Sequence, residues 1–221
     1  MHHPKTFLIF ATSFSAHMYI AIAGNIGAGK TTLTQMLTKH YGWEPQFEPV
    51  CVNPYLQDYY TDIPRWSFCL ETYFLKERFK NLLHIARATN TIVQDRSIFE
   101  GVYVFVENNY AMGNLSDRDY NTYMELFQLM TSLAPYPHLM IYLRKSVPAL
   151  VAQIQKRGRD YEQTIQLDYL TGLNQRYDDF IFHKYKGKVL VIESDNLDFQ
   201  HNPADFQTIT NKIDAQLYGL F

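Results

Sequence analysis

One stretch constrains this chain more than any other. An apolar run, Tyr19-Ile20-Ala21-Ile22-Ala23, is followed at once by Gly24-Asn25-Ile26-Gly27-Ala28-Gly29-Lys30-Thr31-Thr32. The run has the character of a strand covered on both faces. The segment after it fits the phosphate-binding pattern G-x-x-x-x-G-K-S/T. Glycines at 24, 27 and 29 let the backbone curl until its N–H groups converge on phosphate oxygens. Lys30 reaches towards the β- and γ-phosphates, and the Thr31 hydroxyl is a candidate Mg2+ ligand. A helix from Lys30 to Tyr41 then directs its positive end at the anion. The segment Gly24–Thr32 is therefore the expected cradle for a nucleoside triphosphate.

Composition narrows the setting. The chain has 221 residues, 47% of them hydrophobic, which suits one domain with a substantial core. Formal net charge is -2, from 20 basic and 22 acidic side chains, so no basic excess argues for a nucleic-acid polymer as partner. Cys51 and Cys69 fit neither a disulfide framework nor a zinc spacing and read as thiols in a reducing compartment, which points to the cytoplasm. No apolar run reaches the ~20 residues of a membrane span. Residues 1–17 contain an apolar stretch from Phe7 to Phe14, but only Lys5 gives firm positive charge ahead of it and no clean cleavage site follows. They are expected to be a non-native or flexible extension, with the domain proper at 18–221.

Strand and helix signals alternate, which predicts an α/β fold with a five-stranded parallel sheet. The expected strands are Tyr19–Ala23, Gln46–Pro49, Thr91–Gln94, His138–Leu143 and Lys188–Ile192. The expected helices are Lys30–Tyr41, Arg65–Ala88, Phe99–Tyr110, Asp117–Leu133, Val147–Lys156, Gln163–Lys184 and Pro203–Tyr218. Asn211-Lys212-Ile213-Asp214 has the form of a guanine-reading element, but it falls inside the last helix and reads as helix surface.

Three further clusters carry possible chemistry. Glu48, at the end of the second strand, is placed to accept a proton from a substrate hydroxyl. Asp95-Arg96-Ser97 ends the third strand, where an acid linked to Mg2+ and a cation beside the reacting oxygen belong. The same residues suit a helix N-cap, and both readings can hold together. Lys156-Arg157-Gly158-Arg159 sets three cations about one glycine. Mobile arginines on a closing lid near 156–162 would clamp a phosphoryl group in transfer, and a solvated basic helix end fits the same residues.

Taken together, the chain resembles the deoxynucleoside kinases over 18–221. The resemblance rests on GNIGAGKTT, on Glu48-Pro49-Val50, on the run from Tyr60 to Leu75, on Asp95-Arg96-Ser97 and on Lys156-Arg157-Gly158-Arg159-Asp160-Tyr161-Glu162-Gln163. It implies a P-loop kinase fold with an arginine-bearing lid, a dimer formed through a helical bundle, and transfer of the γ-phosphoryl group of ATP to the 5′-hydroxyl of a deoxynucleoside. It implies Glu48 as the base, Arg96 at the reacting 5′ oxygen, Asp95 as the acid linked to Mg2+, and Arg157 and Arg159 as phosphate-holding lid arginines. It implies Tyr60 and Glu162 as the pair on the sugar 3′-hydroxyl and Phe105 stacked on the base. Asn196–Phe199 falls roughly where a loop contacts the adenine of ATP.

Two departures bear on the base. Glu71 stands where many relatives have Gln, and an ionised Glu can only accept hydrogen bonds. Guanine offers two donors side by side, whereas adenine offers one donor and an acceptor. Desolvation could protonate Glu71 and restore a donor. Gly101 stands where some relatives have Asp, so Arg78 is expected to turn to Glu71 instead, seven residues away on the same helix. These features predict a purine preference, with deoxyguanosine ahead of deoxyadenosine. A nucleoside monophosphate kinase and a non-catalytic nucleotide-binding subunit remain as alternatives.

Overall fold

The computed structural model describes residues 17–48, 53–133, 135–159 and 165–219. Five parallel strands form one sheet: β1 (Tyr19–Ala23), β2 (Glu44–Gln46), β3 (Ile92–Asp95), β4 (Leu139–Arg144) and β5 (Val189–Glu193). Their spatial order is β2-β3-β1-β4-β5, so the chain winds to one side of β1 and then to the other. Ligands in such sheets sit beyond the carboxyl ends of the strands, near that reversal.

Alternation along the strands builds the two faces of the core. Tyr19, Ala21, Ala23, Met140 and Tyr142 pack to one side. There they meet α3 (Ile63–Ile85), α6 (Asp117–Thr131) and α8 (Leu167–Asp179). Ile20, Ile22, Val93, Ile141 and Leu143 pack to the other side. There they meet α1 (Lys30–Tyr41), α7 (Val147–Arg157) and α9 (Pro203–Tyr218).

The expected elements are all present, with shifted ends. The second strand is Glu44–Gln46 rather than Gln46–Pro49. Pro45 sits inside it because β2 is an edge strand, where a missing N–H is tolerated. Pro49 lies outside the described residues, as do 1–16 of the expected extension. The long helix begins at Ile63, two residues before the expected start, because Asp62 caps it and Pro64 occupies its first turn, where proline is allowed. A short helix, α2 (Leu56–Thr61), had no counterpart in the sequence reading.

The helix expected at Phe99–Tyr110 is a composite. It runs as α4 (Ile98–Glu100), a π-helical stretch (Gly101–Val106) and α5 (Glu107–Ala111). Such wide turns re-aim side chains and recur at functional sites. The helix expected from Gln163 begins at Leu167, because Gln166 is still extended, and it ends in a second π-helical stretch, Phe180–Lys184. Asn211–Asp214 lies within α9, where Asp214 accepts a hydrogen bond from the Tyr41 hydroxyl at 2.8 Å.

Candidate active site

The phosphate loop joins β1 to α1 in the expected manner. Gly27 and Gly29 have φ of 84° and 96°, and a Cβ on Gly27 would meet Ile154 Cγ1 at 2.9 Å. The left-handed backbone and the close approach of α7 together require glycine there. Asn25 anchors the loop from below. Its Nδ2 donates to the Leu170 carbonyl and to Asn174 Oδ1, both at 3.1 Å, and its Oδ1 accepts from the Ile26 N–H at 2.8 Å. Lys30 Nζ donates to the Asn25 carbonyl at 3.0 Å, inside the curl. Burial, reinforced by the charge of Arg96, lowers the Lys30 pKa to about 8.

Strand register brings the acids to the loop. Ile22 on β1 pairs with Asp95 on β3, so Asp95 emerges beside the loop entrance. Thr31 Oγ1 donates to Asp95 Oδ2 at 2.5 Å, while Asp95 Oδ1 is buried with no hydrogen-bond partner among the described residues. A hydroxyl and a carboxylate oxygen left over are the hard donors that Mg2+ prefers, and that ion takes few protein ligands when phosphates supply the rest.

Arg96 follows in the left-handed region, at φ 68°, the single non-glycine with positive φ among the described residues. Such a conformation costs on the order of 1–3 kcal/mol and persists only where the surroundings fix it. Its N–H donates to the Ile22 carbonyl at 3.0 Å and its Nη1 to the Tyr177 hydroxyl at 3.0 Å. Its Nε lies 2.9 Å from Glu48 Oε2.

Glu48 is thus held between two cations, Arg96 on one oxygen and Arg78 Nε (3.1 Å) and Nη2 on the other. Burial alone would raise the Glu48 carboxyl, but the two guanidiniums outweigh it and keep its pKa below the ordinary value. The carboxylate is therefore ionised at neutral pH, a state able to accept a proton. Arg78 does not pair with Glu71 as expected. Glu48 claims it, because Arg78 turns into the space that Gly101 leaves: a Cβ on Gly101 would stand 2.5 Å from Arg78 Nη1.

Glu71 is 2% exposed and turns instead to Asn109, whose Nδ2 donates to its Oε1 at 3.2 Å. Its Oε2 has no partner among the described residues, and neither do Arg78 Nη1 and the Tyr123 hydroxyl. Burial raises the Glu71 pKa to about 7 despite the nearby charge of Arg78. The carboxyl group therefore stands near the boundary between its neutral and ionised forms.

One cavity of about 320 Å3 joins the loop to the acids and cations. Lys30, Thr31 and Asp95 line one part of it, and Glu71, Arg78 and Phe105 another, with Glu48 and Arg96 also in its wall. Tyr60, Arg157 and Arg159 line it as well. Phe105, carried on the π-helical stretch, has the Arg96 guanidinium 4.5 Å from its ring centre. Gly158 caps α7 in the left-handed conformation. Glu162, with the rest of the expected lid beyond Arg159, lies outside the described residues. A smaller recess behind the loop is formed by Gly27, Ala28, Gly29, Lys145, Leu197 and Phe199 among others.

Two residues that sequence reasoning missed tie the site together. Glu100, fully buried, accepts from the Ser97 N–H at 2.7 Å, the Tyr177 hydroxyl at 2.9 Å and the Gly24 N–H at 3.4 Å. Tyr177 in turn receives Arg96. Ser97-x-x-Glu100 is a capping-box spacing, which could have drawn attention to Glu100. Tyr177 has no local signal, because it arrives from α8.

Comparison with known proteins agrees with this geometry. The family model for deoxynucleoside kinases matches residues 20–218. A deoxyadenosine/deoxycytidine kinase of Bacillus subtilis is 35% identical over 201 residues, 90% of this chain and 93% of that protein. A deoxyguanosine kinase of the same organism is 36% identical over 203 residues, 88% of this chain and 95% of that protein. The solved structure of a deoxyadenosine kinase from M. mycoides with bound dATP superposes with a TM-score of 0.78 at 33% identity, covering 90% of this chain and all of that one.

Proposed function

Because the chain belongs to the deoxynucleoside kinase family, and so phosphorylates deoxynucleosides at the expense of ATP, we propose that Glu48 is the base that takes the 5′-hydroxyl proton as the γ-phosphoryl group is transferred. The observation that carries this is the carboxylate held ionised between Arg78 and Arg96 in the wall of the same cavity as Lys30. Transfer to a hydroxyl needs positioning and charge stabilisation more than covalent help. Lys30 and the backbone of Gly24–Thr32 supply these to the triphosphate of ATP. Arg96 supplies them to the reacting oxygen, and Arg157 and Arg159, from a closing lid, to the transferred group. Thr31 and Asp95 would hold Mg2+, which would supply neutralisation of phosphate charge. The product is the deoxynucleoside 5′-monophosphate, made in nucleotide salvage.

The deoxynucleoside lies with its sugar near Tyr60, its base against Phe105, and its base edge at Glu71 and Arg78, and Glu162 is assigned to the sugar 3′-hydroxyl with Tyr60. Two relatives of almost equal identity are named for different bases, so overall similarity does not choose the base and the residues at its edge must. Adenine and cytosine each present a donor beside an acceptor, whereas guanine presents two donors. An ionised Glu71 favours the guanine edge. This supports deoxyguanosine ahead of deoxyadenosine within the purine preference we assign.

The protein acts in the cytoplasm as a homodimer joined through α3 and α6. Leu83, Leu129 and Leu133 are 39%, 67% and 74% exposed on or just beyond these two helices, and a partner would cover them. No helix among the described residues is long and apolar enough to cross a membrane. Phosphoryl transfer from Mg-ATP, measured with each deoxynucleoside and with Glu48→Gln beside the parent, tests the proposal. Loss of turnover in Glu48→Gln by roughly 100-fold or more supports Glu48 as base, and undiminished turnover refutes it.

A further inference from the structure

We propose that Asn109 is a specificity-determining positioning residue, which presents Glu71 to the nucleobase as a carboxylate with one oxygen already occupied and the other aimed at the base edge. The inference rests on the reading of Glu71 as the base-facing group. Nothing in the sequence marks Asn109. It sits on α5, follows the π-helical stretch and is fully buried.

The argument is one of donors and acceptors. The Asn109 side-chain carbonyl already has donors: the Tyr59 hydroxyl at 3.1 Å and Asn114 Nδ2 at 3.4 Å. The Tyr59 hydroxyl also lies 3.2 Å from that of Tyr169, and with the Tyr169 proton turned towards Tyr59 the single Tyr59 proton serves Asn109. With its oxygen committed to that side, the amide can offer Glu71 only its NH2 group, and it does so at 3.2 Å. An amide donor stabilises a carboxylate and does nothing for the face of a carboxyl that carries a proton. Glu71 Oε2, buried and without a partner among the described residues, is the atom left for the ligand.

The rest of the surroundings pull both ways. Arg78 on α3 and Arg96 after β3 favour the charged form, and Glu48 opposes it. Tyr59 from α2, Tyr123 from α6 and Tyr169 from α8 are neutral phenols at working pH, since burial raises all three above their ordinary value. Burial is the largest influence and brings Glu71 to about 7. Near such a balance, one hydrogen bond decides which form predominates. Ionised Glu71 accepts the two donors of guanine. Neutral Glu71 can donate to adenine N1 while accepting from its amino group. Asn109 thereby tilts the choice towards guanine without touching the substrate.

The test is the ratio of kcat/KM for deoxyguanosine to that for deoxyadenosine between pH 6 and 8.5, in the intact protein, since kcat/KM reports ionisation of the free enzyme. The parent ratio is expected to rise roughly tenfold as Glu71 ionises. In Asn109→Asp the added carboxylate opposes that ionisation, and the rise is expected to move up by about one pH unit or more. Asn109→Leu, which removes the donor to Glu71 together with the acceptor of Tyr59 but adds no charge, should move it the same way by less and serves if the aspartate variant does not fold. Glu71→Gln should flatten the ratio. A profile in folded Asn109→Asp or Asn109→Leu that superposes on the parent overturns the proposal, and so does a flat parent profile. A rise that survives in Glu71→Gln removes Glu71 as the base reader and takes this inference with it. Absence of turnover with every deoxynucleoside would instead overturn the functional reading beneath both.

Discussion

The two ends of the cavity are built on opposite principles. At the phosphate end, polar atoms are largely spoken for by the protein itself, with Asp95 Oδ1 the exception, the oxygen assigned to Mg2+. Lys30 bonds to the loop it sits in, Thr31 to Asp95, and Glu100 gathers Ser97, Tyr177 and Gly24. At the base end, Glu71 Oε2 and Arg78 Nη1, on residues that line the cavity, are buried with no partner among the described residues, as is the Tyr123 hydroxyl outside the lining. A buried polar atom left unpaired costs about 1–3 kcal/mol, so a fold keeps several together where a ligand will satisfy them. The triphosphate is the same whatever the acceptor, and its end can be rigid and self-sufficient. The base differs between acceptors, and discrimination comes from groups that only the right edge can satisfy.

This contrast sorts the expected mutational effects. Lys30→Met should lower kcat by about 100- to 1000-fold, equally for every deoxynucleoside. An effect that depended on the base would break the separation of the two ends. Glu71→Gln should lower kcat/KM for deoxyguanosine by roughly 10- to 100-fold and leave deoxyadenosine unchanged or improved, which steady-state kinetics on the two substrates would read. Glu100→Gln replaces the buried carboxyl group behind the Arg96 turn. It should lower kcat by about tenfold with little change in either KM, and adding Tyr177→Phe should cost little more, because both break one connection. Additive losses would mean that Glu100 acts apart from Tyr177.

The smallest effect concerns stability. Glu71 has a folded pKa of about 7, above the ordinary carboxylate value. Between that value and 7 the folded state holds a proton that the unfolded chain has released. Stability therefore falls as pH rises through this window and levels off above it. Glu71→Gln does not titrate, so its Tm relative to the parent should rise from pH 5 to pH 8. A constant difference in thermal melts would show that Glu71 is not neutral in the folded protein at low pH.

The phosphate end was legible in the sequence because its information is local. One nonapeptide specifies loop, lysine and hydroxyl, and three strand ends predict where Glu48 and Asp95 meet them. The base end was legible only in its cast. Glu71, Arg78 and Phe105 were named, yet the expected pairing of Arg78 with Glu71 was wrong. Helical spacing describes neighbours within α3, and Glu48 enters from another segment with a stronger claim on the cation. Asn109, Tyr59 and Tyr177 come from three different helices and become neighbours only through packing. The π-helical stretch that carries Phe105 was likewise hidden, because its apolar residues fit an ordinary helix equally well.

The most direct test measures kcat/KM for all four deoxynucleosides with Mg-ATP, in the parent, Glu48→Gln and Glu71→Gln side by side. A division of labour between the two ends predicts that Glu48→Gln depresses all four alike and preserves their order, while Glu71→Gln reorders them away from deoxyguanosine. An unchanged order in Glu71→Gln, or a reordering in Glu48→Gln, would contradict it.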